Sequence, residues 1–206
     1  MPQSGLTLLQ SWFLFCCLTL AVDSLSAQEP ESPPTANPSL TLTVEGVDGP
    51  LRDNVLAFLE LNRFAGKPAP DEVRLRWLHN NAEREIHKAL EPFGYFEPTI
   101  EASLTRTPEG WVARYRIEPG RPLRIAELDV KVLGEGAQDP AFQKLLDNLP
   151  LAQGQTLDQP KYEQIKSAME SLATEHGYFN ARFIERSIRV DLQAYSATIH
   201  LHYDTG

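Results

Sequence analysis

Cysteine is almost missing from this 206-residue chain. There are two, Cys16 and Cys17, side by side in the apolar run Trp12–Val22. If that run is removed on export, the rest holds no thiol and needs no disulfide. Positive charge is also short: 19 Lys and Arg stand against 28 Asp and Glu, a net charge of −9. A nucleic-acid binder needs a basic patch to displace counterions from phosphate, so that class is disfavoured. No long run of one sign occurs, and the charges read as ordinary solvated surface. The apolar run has eleven residues, too short for a bilayer span of about 20.

Catalytic patterns are missing as well. There is no G-x-S-x-G, no H-E-x-x-H and no phosphate loop. Gly134–Gly136 reads as a turn. His200, His202 and Asp204 share one row of a strand, which would suit a small secreted metal-binding or hydrolytic protein. The plainer reading is the solvent face of a strand whose other face carries Ile199 and Leu201, so no catalytic, metal or cofactor residues are assigned. His79 and His87 lie too far apart on one helix to act together. His176 suits a helix C-terminus. Trp77 and Trp111 read as core or rim. Arg114 and Arg116 read as solvent-facing.

What is present begins with an export signal. Small and polar residues, "DSLSA", follow the apolar run, and cleavage is expected near Ala27. No Lys or Arg precedes Arg52, so an uncleaved anchor or a mis-assigned start codon are the other readings. Phe15 before Cys16 and "LTLAV" after Cys17 argue against a lipoprotein. Residues 28–39, with four prolines, form a linker with nothing to bury.

The remaining chain repeats itself. "EPFGYFEPTIEA" from Glu91 and "TEHGYFNARFIE" from Thr174 carry the same corner: Gly94-Tyr95-Phe96 and Gly177-Tyr178-Phe179. Period-two strands open each half, Leu40–Gly46 and Ile125–Val132, the second less clean at its start. A short helix follows, with Leu51, Val55, Phe58 and Leu59 on one face, or Phe142, Leu145, Leu146 and Leu149. The second helix of the first unit has Pro70 in its first turn and a stripe of Leu75, Leu78, Ala82, Ile86, Ala89 and Phe93. In the second unit Tyr162, Ile165, Met169 and Leu172 do the same. Each second helix stops at the corner glycine, suited to a left-handed C-cap. Two strands close each unit, one face being Trp111, Ala113, Tyr115 and Ile117 or Ala197, Ile199, Leu201 and Tyr203. The endings Glu118-Pro119-Gly120 and Asp204-Thr205-Gly206 also match.

The expected architecture is α+β: two tandem β-α-α-β-β domains, residues 40–120 and 121–206. Each is a three-stranded mixed sheet with two helices on one face. The junction Glu118–Arg124 is short and proline-bearing, so the units should be stiffly articulated. This build, with its glycine-aromatic corner and acid-x-Gly ending, resembles the POTRA domains of the Omp85 superfamily. Within it, the long second helix and "GYF" corner are most similar to the N-terminal region of the TamA branch, the barrel subunits of translocation and assembly modules. The resemblance implies a periplasmic, non-enzymatic interaction module at the inner face of the outer membrane. It implies a TamB-like inner-membrane-anchored partner, unfolded outer-membrane or autotransporter clients, and a C-terminal barrel that is not in this sequence.

Chain direction gives the binding hypothesis. Two antiparallel helices return the chain to its starting end, so the first strand should lie parallel to the third, in sheet order 1-3-2. That leaves the second strand at an edge: Thr99–Leu104, or Phe179–Val190. An edge can take up another strand by main-chain hydrogen bonds. The longer one offers Phe183, Glu185, Arg186, Ile188 and Arg189 as candidate contacts. Charges on an edge serve equally as a guard against aggregation.

Overall fold

The structure, a computed structural model, describes residues 38–206. The expected signal sequence and all but the last two linker residues lie outside the described residues. Ten main elements follow in chain order: β1 (Ser39–Glu45), α1 (Gly49–Phe58), α2 (Glu72–Leu90), β2 (Thr99–Thr107), β3 (Gly110–Glu118), β4 (Arg124–Leu133), α3 (Pro140–Asp147), α4 (Gln159–Glu175), β5 (Arg182–Asp191) and β6 (Ser196–Asp204).

The sheets are ordered β1-β3-β2 and β4-β6-β5. The outer pairs β1/β3 and β4/β6 are parallel, and the hairpins β2/β3 and β5/β6 antiparallel. This is the order the helical return demands. Trp111, Ala113, Tyr115 and Ile117 on β3 are buried, as are Ala197, Ile199, Leu201 and Tyr203 on β6. Each row meets the stripes of its own two helices, giving two hydrophobic clusters. The untidy start of the fourth strand is a register shift between Ile125 and Glu127. One extra residue there changes which parity faces inward, from Ile125 to Leu128, Val130 and Val132.

Three expectations about side chains fail for local reasons. Phe58 ends α1 and is 44% exposed, because the chain turns to extended backbone at Leu59, which takes the buried place. Phe93 is not in the core. Helix α2 stops at Leu90 and a 3-10 turn, Glu91–Phe93, follows. Its tighter winding carries Phe93 off the 3.6-residue stripe, and Leu90 is buried instead. Pro70 lies before the helix, since the cap is Asp71, whose carboxylate accepts the Arg74 N–H at 2.9 Å. The edge strands also differ in extent: β2 runs on to Thr107, and β5 starts only at Arg182.

Candidate protein-docking site

The two corners are built alike. At the first, Tyr95 N–H donates to Leu90 O (3.3 Å) and Gly94 N–H to Glu91 O (2.9 Å). At the second, Tyr178 N–H donates to Ala173 O (2.8 Å) and Gly177 N–H to Thr174 O (3.4 Å). Both glycines have positive φ, +79° and +84°. This paired pattern is the Schellman closure, which satisfies the last carbonyls of a helix.

Their surroundings differ. The first corner is a joint. Leu123 N–H donates to Gly94 O at 2.8 Å, and Leu157 N–H donates to Leu123 O at 3.0 Å. Tyr95 packs on the first cluster, while Phe96 packs on the second. The linker is pinned further along: the Arg121 guanidinium lies 3.7 Å from the Tyr195 ring centroid, and Tyr195 OH donates to Arg121 O. At the second corner Tyr178 packs inward on the second cluster, but Phe179 is 85% exposed.

The sheet edges are unequal too. The outer edges of β1 and β4 are occupied at their first residues by each unit's own connector between helices. Leu40 N–H donates to Lys67 O and Gly66 N–H to Leu40 O; Ile125 N–H donates to Gln155 O and Gly154 N–H to Ile125 O. Among the described residues, no bridge reaches the outer edges of β2 or β5.

A cleft of about 500 Å³ lies beside β5. Arg186, Ile188 and Val190 line it from the strand, Tyr162, Glu163 and Lys166 from α4, and Glu91, Pro92 and Phe96 from the first corner. Register sorts the five candidate edge residues onto both faces. Arg186 and Ile188 stand opposite Leu201 and Ile199, on the helix side with Phe183, whose ring lies 4.6 Å from that of Tyr203 at a tilt of 53°. Glu185 and Arg189 stand opposite His202 and Thr198, on the open face. A shift between Phe183 and Glu185 leaves Ile184 exposed. Sequence reasoning missed the shift, which is a local break in the period of β5, and the cleft, which depends on how α4 packs beside the strand.

On that open face His200 and His202 are held by carboxylates other than Asp204. His200 Nδ1 is 2.9 Å from Glu185 Oε1 and its Nε2 is 3.4 Å from Glu127; His202 lies 2.8 Å from Asp129 and 3.3 Å from Glu185. The Asp204 carboxylate instead accepts the Gly206 N–H. Among the described residues, no group of three or more such side chains is arranged to hold a metal ion.

Two histidines give the units opposite pH responses. The Glu185 hydrogen bond, opposed by burial, raises the His200 pKa above its ordinary 6.5. A raised folded-state value means stability fully present below about pH 6.5 and lost as pH rises through the folded value. His79, whose Nδ1 sits 2.9 Å from Tyr115 OH, has its pKa lowered by burial. Its contribution is present above the ordinary value and lost as pH falls through the lowered one. Acidification through the raised value towards about pH 6.5 is therefore expected to increase the amide protection factors of β5 and β6, each taken against the intrinsic base-catalysed rate at that pH, and further acidification to decrease those of α2 and β3. His200→Gln should flatten the first response and leave the second. A parallel change in both units would contradict the assignment.

The described residues are two copies of a β-α-α-β-β unit, each a three-stranded mixed sheet with two helices, joined through a glycine-aromatic corner. Residues 41–119, the first unit, match the family model described as the POTRA domain of TamA, domain 1. That match spans less than half of the chain. The chain is similar to BamA POTRA3-5 from Haemophilus influenzae, at 16% identity and a TM-score of 0.42, over 82% of this chain and 66% of that one. It is similar to POTRA1-2 of the periplasmic domain of Omp85 from Anabaena (14% identity, TM-score 0.33, 82% and 94% covered). It is similar also to CdiB from Escherichia coli (11% identity, TM-score 0.30, 88% and 29% covered). The chain thus spans just under two thirds of the BamA fragment and a smaller part of CdiB.

Proposed function

We propose that this chain is the periplasmic POTRA region of an outer-membrane protein assembly or autotransporter secretion factor, exported by the N-terminal signal. It acts without catalysis, as a docking module for unfolded outer-membrane or autotransporter clients and for a TamB-like partner. The observation that carries the reading is the open edge of β5 beside a cleft of mixed polarity, where Tyr162, Ile188 and Val190 stand with Lys166, Arg186, Glu91 and Glu163, while β4 is covered at its first residues by its own connector. A strand added to β5 gains main-chain hydrogen bonds along its length, and its alternate side chains enter the cleft against Tyr162, Ile188 and Val190.

The test uses adjacent prolines. Successive backbone N–H groups in a strand point to opposite sides. Of Ile188→Pro and Arg189→Pro, one removes a ladder bond to β6 and destabilises the unit. The other removes a donor from the free edge. That second variant should keep its circular dichroism and lose crosslinking to an unfolded outer-membrane client. Full crosslinking by a folded variant of this kind would rule out docking at β5.

A further inference from the structure

We infer that the free edge of β5 is a homotypic interface, where a second copy of this chain pairs its own β5 antiparallel about a two-fold axis at Ser187. The argument is the order of charges along the strand. The shift at Ile184 creates that order, because it takes one residue out of the pairing and returns Arg182 and Phe183 to regular places. The open-face row then reads Arg182, Glu185, Ser187, Arg189 and Asp191. These stand opposite Asp204, His202, His200, Thr198 and Ser196, in unbroken steps of two. Their signs run plus, minus, neutral, plus, minus. Reversed, they run minus, plus, neutral, minus, plus. Two such strands laid antiparallel, Ser187 against Ser187, set every charge against its opposite: Arg182 against Asp191 and Glu185 against Arg189, each twice. Opposite charges in cross-strand pairs stabilise, and like charges directly opposite destabilise.

The other face fits the same register. On the helix side Phe183 comes opposite Val190, an aromatic ring against a β-branched side chain, and Arg186 opposite Ile188. At the centre, Ser187 Oγ is buried with no hydrogen-bond partner; facing its own counterpart, it gains one. The charges are available. Arg182 and Arg189 are exposed and take part in no ion pair among the described residues. Asp191 caps its own turn through Oδ1 alone, accepting from Gln193 and Ala194, which leaves Oδ2. The other open edge, β2, has no such order, since Glu101 is the one charge in its open-face row. Charges guard an edge against indiscriminate pairing, but a row that is its own complement in reverse admits one partner. The inference rests on the same open edge as the proposed client docking: a copy seated on β5 excludes a client strand, so self-pairing is the closed state of that site.

Sedimentation equilibrium with no client present tests it. The mean mass should climb from monomer towards dimer between about 1 μM and about 1 mM, the range of weak association. Arg189→Glu alone sets acid against acid and Glu185→Lys alone sets base against base, so each should stay monomeric. Mixed, the two should pair about tenfold more tightly than either with itself, because each supplies the charge the other lacks. A mixture no more associated than its components would overturn the inference. Glu185 also holds His200 and His202, so a second measurement leaves it in place. With Cys16→Ser and Cys17→Ser, Ser187→Cys should oxidise to a covalent dimer severalfold faster than Ser103→Cys on β2, and Arg189→Glu should remove the advantage. Equal rates at the two edges, or an advantage that survives Arg189→Glu, would also defeat it. The two readings of the edge fail separately. A dimer that forms while clients fail to crosslink supports self-pairing and removes client docking; a chain monomeric at every concentration that still captures clients does the reverse.

Discussion

Phe142→Ala is expected to destabilise the second unit by about 3–5 kcal/mol, the range for removing a fully buried ring. Phe142 is the one fully buried residue of the short helix α3, with no exposed surface. It lies 6.0 Å from the Tyr178 ring and 6.3 Å from Tyr203. Its loss leaves a cavity where α3, the corner and β6 meet, and these rigid elements cannot close it. Phe93→Ala is the matched control: outside the core, lining a junction cleft with Leu51 and Tyr95, it should cost about 1 kcal/mol or less. Equal losses in chemical denaturation would show that both rings are core.

Gly94→Val and Gly177→Val should separate strain from packing. Both glycines hold a left-handed conformation that a side chain pays for with about 1–3 kcal/mol. Around Gly177 there is room, since an added Cβ meets nothing nearer than Phe179 Cε2 at 4.0 Å. Around Gly94 there is none: the Cβ would lie 3.0 Å from Leu157 O and 3.2 Å from Leu123 O. Those carbonyls are backbone atoms tied to the joint and cannot turn aside. Gly94→Val should add about 1–3 kcal/mol of overpacking to the strain and release the Leu123 amide to exchange. Equal costs at the two positions would mean that the corner is not clamped by the second unit.

The repeat made much of this legible. Five elements in the same order, with the same corner, set the helical return and hence the parallel pairing of β1 with β3 and of β4 with β6. The inward rows of β3 and β6 could be read residue by residue, because period two survives wherever no bulge intervenes. Illegible were the places where a local turn overrides the period: the 3-10 turn that rotates Phe93, the extended step at Leu59, and the shifts at Ile125 and Phe183. The corner glycines announced a cap, but the sequence carried no sign that Phe96 is shared with the neighbouring unit and Phe179 is not. That difference depends on what surrounds each ring, and the two "GYF" runs are identical. The partners of His200 and His202 were hidden for a related reason. Glu127 and Asp129 come from β4, far back in the sequence, and Glu185 from the adjacent hairpin strand β5, and all three meet the histidines only through register.

The connectors pinned at the first residues of β1 and β4 make the two edges of each sheet unequal. Among the described residues, β2 and β5 are open along their whole length, whereas β1 is covered at Ser39 and Leu40 and β4 at Arg124 and Ile125. A strand pairing on the connector side has to stop short of those residues, so the longest unbroken ladder forms on the hairpin side. If a strand is taken up as proposed above, growth of the sheet has a preferred direction, outward from β2 or β5.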